Sequence, residues 1–176
     1  MMTYISLLRG INVNGQKKVL MAELKKLYES LGFQDVQTYI QSGNVIFKAE
    51  EDRNLAPLIE KRIHEHFGFE VPVLILTRGD LVQILSENPF VISHSIDSLH
   101  VTMLSQMSDN ELLSRVVAVN SEKDEYVIVG KNIYLNCPEG YGRTKLTNNF
   151  FESKLKCKAT TRNWKTMLAL DALTKE

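Results

Sequence analysis

From Thr3 to Leu8 the chain sets Tyr4, Ser6 and Leu8 against Ile5 and Leu7, and this period of two predicts a strand. It runs into a loop, Arg9 to Lys18, that contains Gly10 and Gly15. Leu24, Leu27, Tyr28 and Leu31 then recur at helical spacing, and Gly32 ends the helix with Phe33 placed to pack on its last turn. Two short β-rich runs, Val36 to Ile40 and Val45 to Phe47, flank Gln41, Ser42, Gly43 and Asn44. A Ser-Gly-Asn centre suits the positive φ of a tight hairpin, so the two runs are read as antiparallel neighbours. A helix from about Arg53 to Phe67 follows, with Asp52 as expected N-cap and Gly68 as terminator, and then an apolar strand from Val71 to Leu76. The order is βαββαβ, the ferredoxin-like unit.

A short helix near Asp80 to Ser86 and an irregular stretch around Asn88, Pro89 and Phe90 separate this unit from a second run of the same order. His100 to Leu104 reads as a strand. Ser108 and Glu111 form a capping box ahead of a helix carrying Leu112, Leu113, Val116 and Val117. Tyr126 to Val129 and Ile133 to Leu135 make a hairpin around Gly130, Lys131 and Asn132. A helix from about Leu146 to Leu155, a strand around Ala159 to Thr161 and a last helix from Trp164 to Leu173 complete the chain. The predicted fold class is α+β: two ferredoxin-like (βαββαβ) halves plus a C-terminal helix. The halves are placed at 1–79 and 98–176, joined by a connecting segment at 80–97. No residue-level repeat relates them, so the duplication rests on element order alone. In each half, strands one and two should run parallel with strand three between them.

Composition changes this picture little. The 176 residues are 44% hydrophobic and 24% charged, an ordinary globular balance, and a chain of this length buries roughly 70% of its unfolded surface. The 21 basic and 21 acidic residues cancel, which disfavours a general nucleic-acid coat protein. Charge is uneven, however: residues 131 to 165 hold eight basic side chains against Glu139 and Glu152, a local surplus of six. The apolar opening run has neither a basic leader nor a cleavage site, and no stretch approaches the about 18 apolar residues of a membrane span, so a cytoplasmic protein without a membrane partner is expected. Cys137 and Cys157 form no CxxC pair. His64 and His66 point to different helix faces, and the four histidines, His94 and His100 included, read as surface groups, so no metal site is expected. GxSxG, P-loop and GxGxxG signatures are missing, which leaves catalytic residues and cofactors unidentified.

Several stretches together resemble a known family. They are Leu8-Arg9-Gly10-Ile11-Asn12-Val13, Tyr39-Ile40-Gln41-Ser42-Gly43-Asn44-Val45, Asn88-Pro89-Phe90, Gly142-Arg143-Thr144-Lys145-Leu146-Thr147-Asn148 and Ala159-Thr160-Thr161-Arg162-Asn163-Trp164. In this order they resemble the bacterial domain of unknown function family 1697, along nearly the whole chain. One departure stands out: the family's loop reads Val-Gly-Gly after the Asn, whereas Asn14 occupies the first of those glycine positions. Asn tolerates the left-handed region, so the turn should survive. The resemblance implies a fold and a motif set but no reaction.

Topology gathers these motifs into two polar clusters. Parallel strands one and two would place Arg9, Asn12, Gly15 and Lys17 beside Gln41, Ser42, Gly43 and Asn44. In the second half, Arg143, Lys145, Thr147 and Asn148 would meet Arg162, Asn163 and Trp164, with helix N-termini and cations making an anion site. The structural alternative is that Thr147 and Asn163 are helix caps and Trp164 is core. The leading expectation is a binding protein for a small anionic ligand: a nucleotide, a phosphorylated metabolite or a nucleic-acid backbone, the last weakly supported. A small enzyme acting on a phosphorylated or nucleotide substrate is the alternative, and a structural or partner-binding module is the third. Tyr4 and Ser6, with Gln37, Tyr39 and Gln41, would lie on a sheet face that either stacks bases or packs on the other half.

Overall fold

The computed structural model describes residues 1–51, 54–117 and 123–175. The first half comprises β1 (Met2–Leu8), α1 (Met21–Ser30), β2 (Gln34–Tyr39), β3 (Asn44–Ala49), α2 (Leu55–Phe67), β4 (Val73–Thr77) and α3 (Arg78–Ser86). The second repeats the order with β5 (Leu99–Leu104), α4 (Asn110–Val117), β6 (Glu125–Val129), β7 (Asn132–Asn136), α5 (Asn148–Leu155), β8 (Ala159–Asn163) and α6 (Trp164–Leu173). Each half forms a four-stranded antiparallel sheet, ordered β2-β3-β1-β4 and β6-β7-β5-β8. Strands one and two of each half therefore run parallel with strand three between them, and the chain is two ferredoxin-like halves with a C-terminal helix. By contacts it divides into Met1–Val82 with the residues from Leu170 onward, and Gln83–Ala169.

In the first unit, α1 and α2 cover one sheet face. Leu24, Leu27 and Tyr28 from α1 and Leu55, Ile59 and Ile63 from α2 pack with Tyr4, Leu8, Val45, Phe47 and Val73. Tyr4 and Ser6 thus lie under the helices of their own unit rather than on an open face. Tyr4 stacks on Phe47 at 5.8 Å, and Ser6 is buried because its hydroxyl meets the Tyr28 hydroxyl at 2.7 Å. Burial pushes the Tyr28 phenol well above its usual range. Ile5, Leu7, Ile46 and Leu76 are buried as well, so β1 is a strand with two covered faces, and its alternation separates two kinds of core rather than core from solvent. In the second unit the corresponding core joins Leu104, Ile133, Leu135 and Ala159 to Val116 of α4 and Phe151 and Leu155 of α5.

Glycine ends α2 as expected: Gly68 has φ +80° and donates its N–H to the His64 carbonyl. Asp52, the expected cap of that helix, lies outside the described residues, and the helix begins at Leu55. The capping box at Ser108 is corrected. α4 starts at Asn110, and Asp109 accepts the Leu112 N–H at 2.9 Å, because a carboxylate one residue later is the stronger acceptor beside the positive helix end. Both fourth strands run straight into a helix. Thr77 and Asn163 close their strands and accept the N–H groups of Asp80 (3.1 Å) and Thr166 (2.8 Å), so each half is βαββαβ followed at once by its own helix.

Candidate functional site

The long loop after β1 and the turn between β2 and β3 come together, and Asn12 joins them. Its Nδ2 donates to the carbonyls of Val19 (2.9 Å) and Gln41 (2.8 Å), and its Oδ1 accepts the Val19 N–H at 2.9 Å. The Leu8 N–H meets the Gly43 carbonyl at 2.8 Å. Gly43 has φ +84°, and a Cβ there would fall 2.7 Å from Ile11 Cδ1 and 2.8 Å from Leu8 Cβ, so only glycine fits the close approach. Asn44 is fully buried and donates to the Tyr39 carbonyl (2.9 Å) and to Ser42 Oγ (3.0 Å). Within the loop, Val13 and Gln16 pair around Asn14 (φ +51°) and Gly15 (φ +71°), the two left-handed centres of a type I′ turn. Asn14 therefore takes the conformation that the family's glycine would hold. Lys17, also left-handed at φ +46°, donates its ammonium to the Glu70 carbonyl at 2.6 Å.

The late cluster is less unified. Thr147 caps α5, its Oγ1 accepting the Phe150 N–H at 3.2 Å, and Asn163 caps α6. Asn148 Oδ1 accepts from Thr161 Oγ1 at 2.7 Å, and Thr161 meets Thr102 Oγ1 at 2.6 Å, which links the start of α5 to β8. Arg162 is the next residue of the strand and so projects from the opposite sheet face. It is buried, it donates to the Thr161 carbonyl at 3.0 Å, and burial pushes its guanidinium down to about 10. Trp164 is buried and meets the Tyr134 ring edge-on at 6.3 Å. Arg143 and Lys145 are exposed. The two caps and the tryptophan thus occupy structural positions, and the buried cation is on the other side of the sheet from Asn148.

Two features were not visible in the sequence. Ile40, a β-branched residue, stands at φ +50° in the hairpin turn beside Asn12's partner Gln41; no residue-level pattern signals that strain. His94, read as a surface histidine, has its ring between two side-chain partners, one of them distant in sequence. Among the described residues no group of three or more His, Cys, Asp or Glu could hold a metal ion, and no helix is long and apolar enough to cross a membrane.

A solved structure of a conserved bacterial protein from Streptococcus pneumoniae superposes on this chain with a TM-score of 0.77 at 23% identity, covering 97% of each chain. It shares the fold. Among curated proteins, none matches the sequence. The family described as "Protein of unknown function (DUF1697)" matches residues 1–134, which include the Asn12 loop, the Gly43 hairpin and Asn88-Pro89-Phe90 and end before the two late motifs. The chain belongs to the DUF1697 family.

Proposed function

We propose that the protein binds a small anionic ligand, of the nucleotide or phosphorylated-metabolite type, at the rim where the loop after β1 meets the β2–β3 turn. The observation that carries this reading is the concentration of left-handed backbone at one place. Of the six non-glycine residues with positive φ among the described residues, four stand at this rim: Asn12, Asn14, Lys17 and Ile40. Gly10, Gly15 and Gly43 add three more positive-φ centres to it. Glycine holds such a conformation without strain, whereas a residue with a side chain meets a cost of up to about 1–3 kcal/mol, least for asparagine, and strained positions of this kind gather at ligand clamps. Backbone that alternates through the left-handed region can also turn successive N–H groups to one side, as anion-binding nests do. Arg9, Lys17 and the exposed Lys18 supply positive charge at the same rim.

Titration calorimetry with inorganic phosphate, pyrophosphate and a nucleoside diphosphate tests the reading. Saturable binding should weaken as salt shortens the Debye length from about 10 Å at 0.1 M to about 3 Å at 1 M. Changing Arg9→Gln together with Lys17→Gln should remove it in a chain that still unfolds cooperatively, the lost Lys17–Glu70 bond costing about 1 kcal/mol. Undiminished binding in that double variant, or no binding to the wild type, places the function elsewhere.

A further inference from the structure

A cleft of about 630 Å³ opens in the second unit, with Ser93, His94, Ser98, Asn136, Pro138 and Glu139 in its wall. Volumes of this order suit small-molecule sites. Four of its residues, Ser93, His94, Ser98 and Asn136, belong to a hydrogen-bonded chain that the anion rim does not use. Ser93 Oγ lies 2.7 Å from His94 Nδ1, and His94 Nε2 lies 2.9 Å from Glu125 Oε2. The same carboxylate oxygen accepts from Asn136 Nδ2 at 2.8 Å, and Asn136 Oδ1 accepts from Ser98 Oγ at 2.7 Å. An ionised carboxylate can only accept, so in the neutral ring Nε2 carries the proton and Nδ1 keeps its lone pair toward the serine hydroxyl.

The Asn88-Pro89-Phe90 motif holds this arrangement in place. Asn88 Oδ1 accepts the Phe90 N–H at 2.9 Å, and the Phe90 carbonyl accepts from both Ser93 N (3.2 Å) and His94 N (3.0 Å). The Phe90 ring meets the imidazole edge-on at 5.2 Å. Serine and histidine thus sit on a turn fixed by a buried aromatic anchor, while Glu125 is delivered by β6 and steadied by Asn136. The acids in the cleft wall are neutralised by lysines: Glu139 pairs with Lys123 at 2.8 Å, and Asp97 pairs with Lys165. A cleft of balanced charge favours an uncharged substrate.

We infer that this cleft is an acyl-transfer site for small uncharged esters, with Ser93 as nucleophile, His94 as general base and Glu125 as the residue that positions the ring. Ser93 Oγ attacks the carbonyl carbon as its proton passes to His94 Nδ1. The Oγ–acyl bond forms, the ester C–O bond breaks, and the proton on Nδ1 leaves with the alkoxide as the alcohol. Water, deprotonated by the same nitrogen, then attacks the acyl carbon; the acyl–Oγ bond breaks, Ser93 Oγ takes the proton back from His94 Nδ1, and the carboxylic acid is released.

A fluorophosphonate probe with peptide mass mapping, paired with p-nitrophenyl acetate hydrolysis, tests this on the full chain. The label should appear on Ser93, at a rate about a hundredfold lower in His94→Ala, and Ser95→Ala should label like the wild type. No label on Ser93, or an undiminished rate in His94→Ala, overturns the proposal. Nitrogen NMR of the imidazole gives a second reading that survives if His94→Ala unfolds. The neutral ring should carry its proton on Nε2 in the wild type and lose that preference in Glu125→Gln. A wild-type ring protonated on Nδ1 overturns the proposal just as surely.

Discussion

The two units build the same hydrogen-bonded frame from different residues. At the end of the first strand, Leu8 N–H meets the Gly43 carbonyl in one unit and Leu104 N–H meets the Lys131 carbonyl in the other, at 2.8 and 2.9 Å. The next residue repeats the correspondence: Arg9 N–H bonds to Pro72, and Ser105 N–H bonds to Lys158, at 3.0 and 2.8 Å. A glutamate of the second helix then anchors the fourth strand in both, Glu60 to Val73 N–H at 2.8 Å and Glu152 to Ala159 N–H at 2.9 Å. The duplication is therefore recorded in backbone bonds and helix caps and not in residue identity. What differs is the passage from first strand to first helix. It spans residues 9–20 with five positive-φ positions in the first unit and only residues 105–109 in the second. The frame is shared and the candidate anion rim is an addition to one copy of it.

The sharpest break of this comparison lies at the hairpin turns. In Gly43→Ala a side chain must enter at φ +84° and within 3 Å of Ile11 and Leu8, combining backbone strain with overpacking. The expected destabilisation is on the order of 3 kcal/mol by urea unfolding. Lys131 makes the equivalent carbonyl bond with a side chain already present, so Lys131→Ala should shift stability by no more than about 0.5 kcal/mol. Similar losses at both positions would show that the two turns are under the same constraint.

The shared glutamates should behave alike. Removing the carboxylate leaves the first N–H of the fourth strand without its charged acceptor, so Glu60→Ala and Glu152→Ala should each cost about 1.5 kcal/mol. Costs differing by more than about 1 kcal/mol would mean that one bond is incidental and the frame less conserved between units than the distances suggest.

Strand order was legible in the sequence because it needs only the succession of elements and the rule that parallel strands are joined by crossovers. The convergence of the Asn12 loop with the Gly43 turn followed from the same topology. Which face of β1 meets the helices was not legible: with Ile5 and Leu7 alternating against Tyr4, Ser6 and Leu8, both faces are apolar enough to be core, and the Ser6–Tyr28 bond that makes one serine tolerable there joins residues 22 apart. The division of Arg162 from Asn148 turns on one-residue parity in β8, which begins at Ala159 as read from the sequence but ends two residues later, at Asn163, so that Arg162 belongs to the strand. Glu125, partner of His94, comes from another element altogether, and no spacing rule connects them.

The smallest expected effect concerns Tyr4 and His100, which hold equivalent register positions, opposite Thr77 and Asn163 on their fourth strands. Each stacks on an aromatic ring, Tyr4 on Phe47 and His100 on Tyr141 at 4.9 Å, but only the second unit places an imidazole there. Burial lowers the His100 pKa, with a smaller opposing contribution from the Ser98 backbone. The folded protein thus holds this ring neutral at pH values where the unfolded chain, with its value near 6.5, has begun to take up a proton. The unfolded state binds more protons in that window, so stability is fully present above about pH 6.5 and falls as pH drops from there toward the folded value. His100→Tyr gives the second unit the residue of the first and keeps a ring to stack on Tyr141. Thermal melts from pH 7.5 down to 5, taken on both proteins in one buffer series, should show a steeper acid loss of Tm in the wild type than in His100→Tyr. Parallel curves would mean that the imidazole takes up its proton as readily in the folded chain as in the unfolded one, and that this position contributes nothing to the difference between the units.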